Sequence, residues 1–172
     1  MTVAVRAAVV EDVEAISSVF MACWSTSYAN VLPASDISRW SPHRAQRAWT
    51  DHVTAARGQN VSVAEVDQAI AGVVRWHAEG SVAEIDSLYV SPAMAGRGVG
   101  RLLVEATREA AVNQQCRRLL LWVFETNDSA REFYRRLGFV EDGRRHRTPD
   151  YSVVEIGMER VLANTGRGTE EA

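Results

Sequence analysis

The sequence predicts an α/β (α+β) protein: a mixed central sheet of about seven strands flanked by helices. Three stretches carry that prediction. Glu84 to Val90 is short and apolar-rich and ends in Ser91-Pro92, so it reads as a strand. It runs into the glycine-rich turn Ala-Gly-Arg-Gly-Val-Gly-Arg (95–101), after which Val99, Leu102, Leu103, Ala106 and Ala110 recur at helical spacing. Leu119 to Phe124 (LLLWVF) is apolar on both faces, as a covered parallel strand should be, and a second helical segment follows it directly. Asn60 to Val66 and Ile70 to His77 are two valine-rich runs around Asp67-Gln68, the pattern of an antiparallel hairpin.

The remaining elements follow in order. Val3 to Ala7 is a short first strand. Glu11-Asp12 then places negative charge at the start of a helix whose Val13, Ile16, Phe20 and Cys23 face inward. An aromatic region follows, with Trp24, Tyr28, Leu32, Trp40 and Trp49, broken into short helices by Pro33 and Pro42. His43 to Arg57 forms a helix that ends at Gly58. His77 closes the hairpin as a surface imidazole. The helix after the glycine turn runs from Gly100 to about Cys116. Asn127 or Asp128 caps the helix that Gly138 ends. Phe139-Val140 and Tyr151 to Val161 make the last strands, and Arg144-Arg145-His146-Arg147 falls in the connection before the second of them. The reading is one domain over residues 1–162, with a polar, aperiodic tail at 163–172 that is expected to be disordered.

Composition narrows the class. The chain has 172 residues, 47% of them hydrophobic and 24% charged, enough to bury a proper core. A net charge of -3 argues against a nucleic-acid partner. No apolar run is long enough to span a membrane and the N-terminus lacks a signal-peptide layout, so the cytoplasm is the expected compartment. Cys23 and Cys116 have no metal-ligand spacing and read as buried thiols in helices; no metal is expected. All 19 basic residues are arginine. The protein therefore offers no lysine to acylate, on itself or on a copy.

The chemistry starts at the glycine turn. A strand feeding a glycine-rich turn that opens a helix suits an anion, because free backbone amides and the helix dipole converge there. A phosphate or pyrophosphate is therefore expected at residues 96–101, held by the amides from Gly96 to Arg101 and by the side chains of Arg97 and Arg101. No Lys-Ser or Lys-Thr follows, which excludes a Walker loop. The glycine spacing, with Leu119-Leu120-Leu121 where an acidic residue should stand, fits a dinucleotide fingerprint poorly.

A second stretch, NDSAREFYRRLGF (127–139), completes a pattern. Together the two stretches resemble the GNAT superfamily of N-acetyltransferases. That family carries a turn [Arg/Gln]-x-x-Gly-x-[Gly/Ala] and then an Asn…Ala…Phe-Tyr…Leu-Gly-Phe helix. Gly98 and Gly100 match the turn, and Asn127, Ala130, Phe133, Tyr134, Leu137, Gly138 and Phe139 match the helix without a gap. The Arg/Gln position falls on Ala95, which departs from the pattern. The resemblance covers residues 60–160 well and the first 58 in outline.

What the resemblance implies is an acetyl-CoA-dependent N-acetyltransferase with a sheet splayed at the acetyl-CoA site. The partners implied are acetyl-CoA as cosubstrate and an amine acceptor, a primary amine of a small molecule or peptide, with room for a homodimer. The pantetheine arm would run along Leu88, Tyr89 and Val90, with an amide near Val90 facing the thioester oxygen, and Asn127, Ala130 and Phe133 would line it. Gly96, Arg97, Gly98, Val99, Gly100 and Arg101 would hold the pyrophosphate. Glu84 matches the family's catalytic carboxylate, a general base for an amine that must lose a proton, and Asp86 is the second candidate on the same strand face. Tyr134 matches the tyrosine beside the sulfur, a general acid for the leaving thiolate. An acyl-CoA-binding regulatory module of the same fold is the alternative, which Ala95 favours.

Overall fold

A computed structural model describes residues 3–55, 59–147 and 151–162. Seven strands form one open sheet in the order β1-β2-β3-β4-β5-β7-β6: β1 (Val3–Ala7), β2 (Gln59–Val66), β3 (Ala69–Glu79), β4 (Val82–Val90), β5 (Arg118–Phe124), β6 (Val140–Arg147) and β7 (Val154–Val161). Every neighbouring pair is antiparallel except β4 and β5. The α-helices are α1 (Val13–Ala22), α2 (Ala34–Ile37), α3 (Pro42–Thr54), α4 (Val99–Asn113) and α5 (Asp128–Arg136). This is the predicted mixed seven-stranded sheet.

Each face of the sheet has its own core. On one, Leu103 and Val104 of α4 and Tyr134 of α5 pack with Val74, Trp76, Ile85 and Leu121. On the other, Ile16 and Phe20 of α1 and Trp49 of α3 pack with Val63 and Val73. Removing such side chains from water supplies most of the stabilisation. The β2–β3 turn is the two-residue one predicted, with Asp67 and Gln68 both at positive φ, which matches the twist of a hairpin.

Several boundaries and faces differ from the sequence reading. The inward stripe of α4 is Val99, Leu103, Val104, Thr107 and Ala111, whereas Leu102 is 43% exposed. Thr107 is tolerated in the core because its hydroxyl donates to Leu103 O at 2.9 Å. Cys116 is buried but lies beyond the end of α4, its amide bonded back to Ala111 O. The helix expected over 43–57 spans Pro42–Thr54, started by Ser41 Oγ accepting from Arg44 N. Gly58, the expected helix end, and the tail at 163–172 lie outside the described residues.

The arginine run after Gly143 is not a loop. It belongs to edge strand β6, where Arg145 pairs with Ile156 and Arg147 with Val154. Charged side chains suit an edge, where they stay wet and oppose pairing with another chain. Arg144 and Asp142 cross over Gly157 of β7, and a Cβ there would lie 2.5 Å from Asp142 Oδ1 and 2.9 Å from Arg144 Cβ. Gly157→Ala is expected to destabilise the fold by about 1–3 kcal/mol through overpacking. An unchanged denaturant midpoint would show that β6 yields freely.

Candidate active site

Two features of β4 open the sheet. The first is its pairing with β5, which covers only Val82↔Arg118 to Ile85↔Leu121. Beyond Ile85 the strands diverge, and Leu88, Tyr89 and Val90 have no strand partner on the β5 side. The second is a bulge. Arg75 of β3 faces Ser87 and Trp76 faces Ile85, so Asp86 is the extra residue. A bulge resets the alternation: Ile85 and Leu88 both join the α4 side, and Asp86 turns toward Arg75 and His77.

The gap left by the splay joins two hollows. The larger, about 680 Å³, runs from the glycine turn to α5. Leu88, Tyr89, Val90, Gly96, Gly98, Val99, Gly100, Arg101, Asn127, Ala130, Phe133 and Tyr134 line it, as do Cys23, Tyr28, Met94 and Ala95. Gly98 is left-handed, with φ 84°, where a side chain would be strained. The first bond of α4 runs from Leu102 N to Gly98 O, so the amides of Val99, Gly100 and Arg101 have no helical acceptor. Gly100 also admits the Phe133 ring, which would stand 3.2 Å from a Cβ at that position. Arg97 does not border this cleft. It lines a separate hollow of about 390 Å³ against the β2–β3 turn.

The second hollow, about 460 Å³, lies on the α1–α3 side. Rings of Phe20, Trp24, Trp40, Trp49, Phe124 and Tyr151 form its walls, and Arg75, Asp86, Glu155 and His52 are its charged or titratable lining. Tyr28, Leu88, Tyr89, Asn127, Ala130 and Tyr134 border both hollows. They are the seam.

At the seam Asn127 caps α5, its Oδ1 accepting from Ala130 N at 3.1 Å. The Tyr134 ring packs against Phe133 and Phe139, at centroid distances of 5.0 and 5.6 Å. Burial alone pushes its phenol pKa well above the ordinary value. Tyr28 and Tyr89 are raised in the same way, chiefly by burial. Cys23 Sγ contacts Val90 O at 3.0 Å, and burial lifts its thiol to about 11.

The two carboxylates of β4 have different surroundings. Asp86 lines the aromatic hollow, with His77 Nδ1 3.0 Å from Oδ2 and Arg75 Nη1 at 3.7 Å. Glu84 borders neither hollow; its Oε2 lies 3.7 Å from Arg144 Nη1. That guanidinium lies over the Trp122 ring, 4.5 Å from its centroid, and pairs with Asp142. His77, read as a plain surface imidazole, is thus a partner of Asp86. The signal for Arg75 and His77 was their charge and polarity within a valine-rich run, but only the bulge brings Asp86 to them. Among the described residues no three His, Cys, Asp or Glu side chains cluster as metal ligands. No helix among them is long and apolar enough to cross a membrane.

A mixed sheet splayed between β4 and β5, with a glycine turn of free amides below the gap, defines an acyl-CoA transferase type of fold. Residues 14–139 match the acetyltransferase (GNAT) family, and the chain belongs to it. It is 45% identical over 60 residues to an uncharacterized N-acetyltransferase of Methanocaldococcus jannaschii, covering 35% of this chain and 26% of that protein. An uncharacterized N-acetyltransferase of Archaeoglobus fulgidus is 37% identical over 81 residues, 43% of this chain and 55% of the relative. The chain thus spans about a quarter and about half of these two relatives. In fold it is similar to the PaiA N-acetyltransferase of Thermoplasma acidophilum in complex with coenzyme A, with a TM-score of 0.78 at 19% identity over 94% of this chain and 99% of that one.

Proposed function

We propose that this chain transfers the acetyl group of acetyl-CoA to a primary amine by direct attack within a ternary complex. The observation that carries this is the seam. A cleft with free amides at one end meets a second hollow at Tyr134, where a thioester and an amine could face each other. The solved complex of a similar fold with coenzyme A supports acetyl-CoA as the cosubstrate. In this reading the amides from Gly98 to Arg101 hold the pyrophosphate at the start of α4. The arm lies along Leu88 to Val90, Asn127 and Ala130 guide it, and a backbone amide near Val90 supports the oxyanion.

The proton steps fall to Asp86 in the aromatic hollow and to Tyr134 at the seam. Asp86, which borders the acceptor hollow, takes the amine proton, directly or through a water. Glu84, the carboxylate first matched to that role, would work only at one remove, from its place beside Arg144. Tyr134 returns a proton to the thiolate. Thiol release from acetyl-CoA with a panel of amines tests the whole reading. Binding of acetyl-CoA without release for any amine would instead make this a CoA-sensing module.

Arg101→Ala should weaken acetyl-CoA binding by about 1–2 kcal/mol, as expected for a charge-assisted bond at a cleft rim. Arg97→Ala should stay within about 0.5 kcal/mol, since its side chain belongs to the other hollow. Calorimetry showing the reverse order would return Arg97 to the pyrophosphate.

A further inference from the structure

Resting on that proposed reaction, we infer that His77 is a positioning residue for the base: its imidazole holds the Asp86 carboxylate in place at the wall of the aromatic hollow.

Asp86 needs such a partner because of where it sits in the sheet. Regular ladder residues are steadied by the side chain directly opposite, and the extra residue of a bulge has no opposite number. Its carboxylate must nonetheless stand still, since a group misplaced by about 1 Å can cost about 10²-fold in rate. His77 lies on β3, paired with Glu84, two positions before Asp86 on β4. Its Nδ1 is 3.1 Å from Asp86 Oδ1 and 3.0 Å from Oδ2, so one ring nitrogen spans both oxygens. An ionised carboxylate can only accept, so Nδ1 carries the hydrogen and donates it. That donor restrains the direction of the carboxylate and still leaves lone pairs on both oxygens for the amine proton.

The neighbouring charges do not replace this bond. Arg75 Nη1 stands 3.7 Å from Asp86 Oδ2, beyond hydrogen-bond reach, so it supplies charge but little direction. Glu84, directly across from His77, has its Oε2 3.7 Å from Arg144 Nη1. The two bonded partners also face different surroundings. The Asp86 side chain is 16% exposed and lines the hollow, whereas that of His77 is 38% exposed and does not. The imidazole therefore grips the carboxylate from outside and takes no space from the acceptor.

The test is thiol release from acetyl-CoA by the full chain at saturating amine, carried through a double-mutant cycle. His77→Leu should lower kcat by about 10- to 100-fold and change KM for acetyl-CoA less than about twofold. His77→Asn should recover most of the loss, because its amide nitrogen takes the place of Nδ1. With Asp86→Asn already present, His77→Leu should cost less than about twofold more, because no base is left to position. A role in strand packing alone would instead lower the denaturation midpoint and leave the kcat loss unchanged beside Asp86→Asn. If Leu prevents folding, His77→Thr takes its place, a strand former too short to reach Asp86. Full kcat in the Leu or Thr variant, no recovery in His77→Asn, or an undiminished loss beside Asp86→Asn would overturn the inference while leaving the acetyltransferase reading intact. No thiol release from the unaltered chain with any amine of the panel would overturn that reading, and the inference with it.

Discussion

Replacing Asp86 by Asn is expected to lower kcat by about 10²- to 10⁴-fold, the contribution typical of a positioned general base. Asn keeps the shape and an acceptor for the His77 contact but cannot take a proton. Its position is the motive: Asp86 is the bulged residue of β4 and borders the acceptor hollow. Affinity for acetyl-CoA should hardly change, because Asp86 does not border the cleft assigned to it. Glu84→Gln should cost far less, about tenfold at most if Glu84 serves only as a relay. It should chiefly loosen the hold on Arg144. Full activity in Asp86→Asn, with Glu84→Gln inactive, would move the base to Glu84.

Tyr134→Phe should lower kcat by about 10²-fold, at the lower end of what a general acid supplies, and change KM for acetyl-CoA less than about twofold. The ring contacts with Phe133 and Phe139 survive the change, so the seam keeps its shape. The sign of the pKa shift matters here. Burial disfavours the charged phenolate and raises the pKa, so the neutral O–H persists through mildly alkaline pH. A proton donor that must be ready at neutral pH gains from that, and no alkaline loss of rate should arise from the phenol in that range. Stability should not fall, since no hydrogen bond is the cause of the shift and only a buried hydroxyl is removed. Unchanged kcat at saturating acceptor, with chemistry rate-limiting, would show that the thiolate leaves unassisted.

Short-range patterns were enough for most of the strands, the glycine turn and the capped helix, but not for β6, whose arginine run reads as a connection. Alternating valines around Asp67-Gln68 specify a hairpin because strand faces repeat every two residues. Three glycines opening a helix specify free amides, and Asn127-Asp128 ahead of the helix specify a cap from one of the two; these signals lie within a few residues of chain. Periodicity was weaker at the face of α4, where Leu102 fitted the apolar stripe yet lies exposed and Thr107 is buried. Neighbouring elements, not the helix alone, settle which of two adjoining stripes turns inward.

The different surroundings of the two carboxylates of β4 depended on contacts no local pattern can encode. Glu84 and Asp86 look equivalent two residues apart, until a bulge gives Asp86 to the hollow and Arg144 of a distant edge strand engages Glu84. The gap in the sheet is a register event too. β4 and β5 pair for four residues and then diverge, and nothing in either strand's composition marks where. Arg97 and Arg101 flank the same turn, but the backbone twist through Gly98 sends them to different hollows. The aromatic residues were plain in the sequence; that they enclose a hollow, rather than simply fill a core, follows from helices and strands far apart in the chain meeting around the splayed strands.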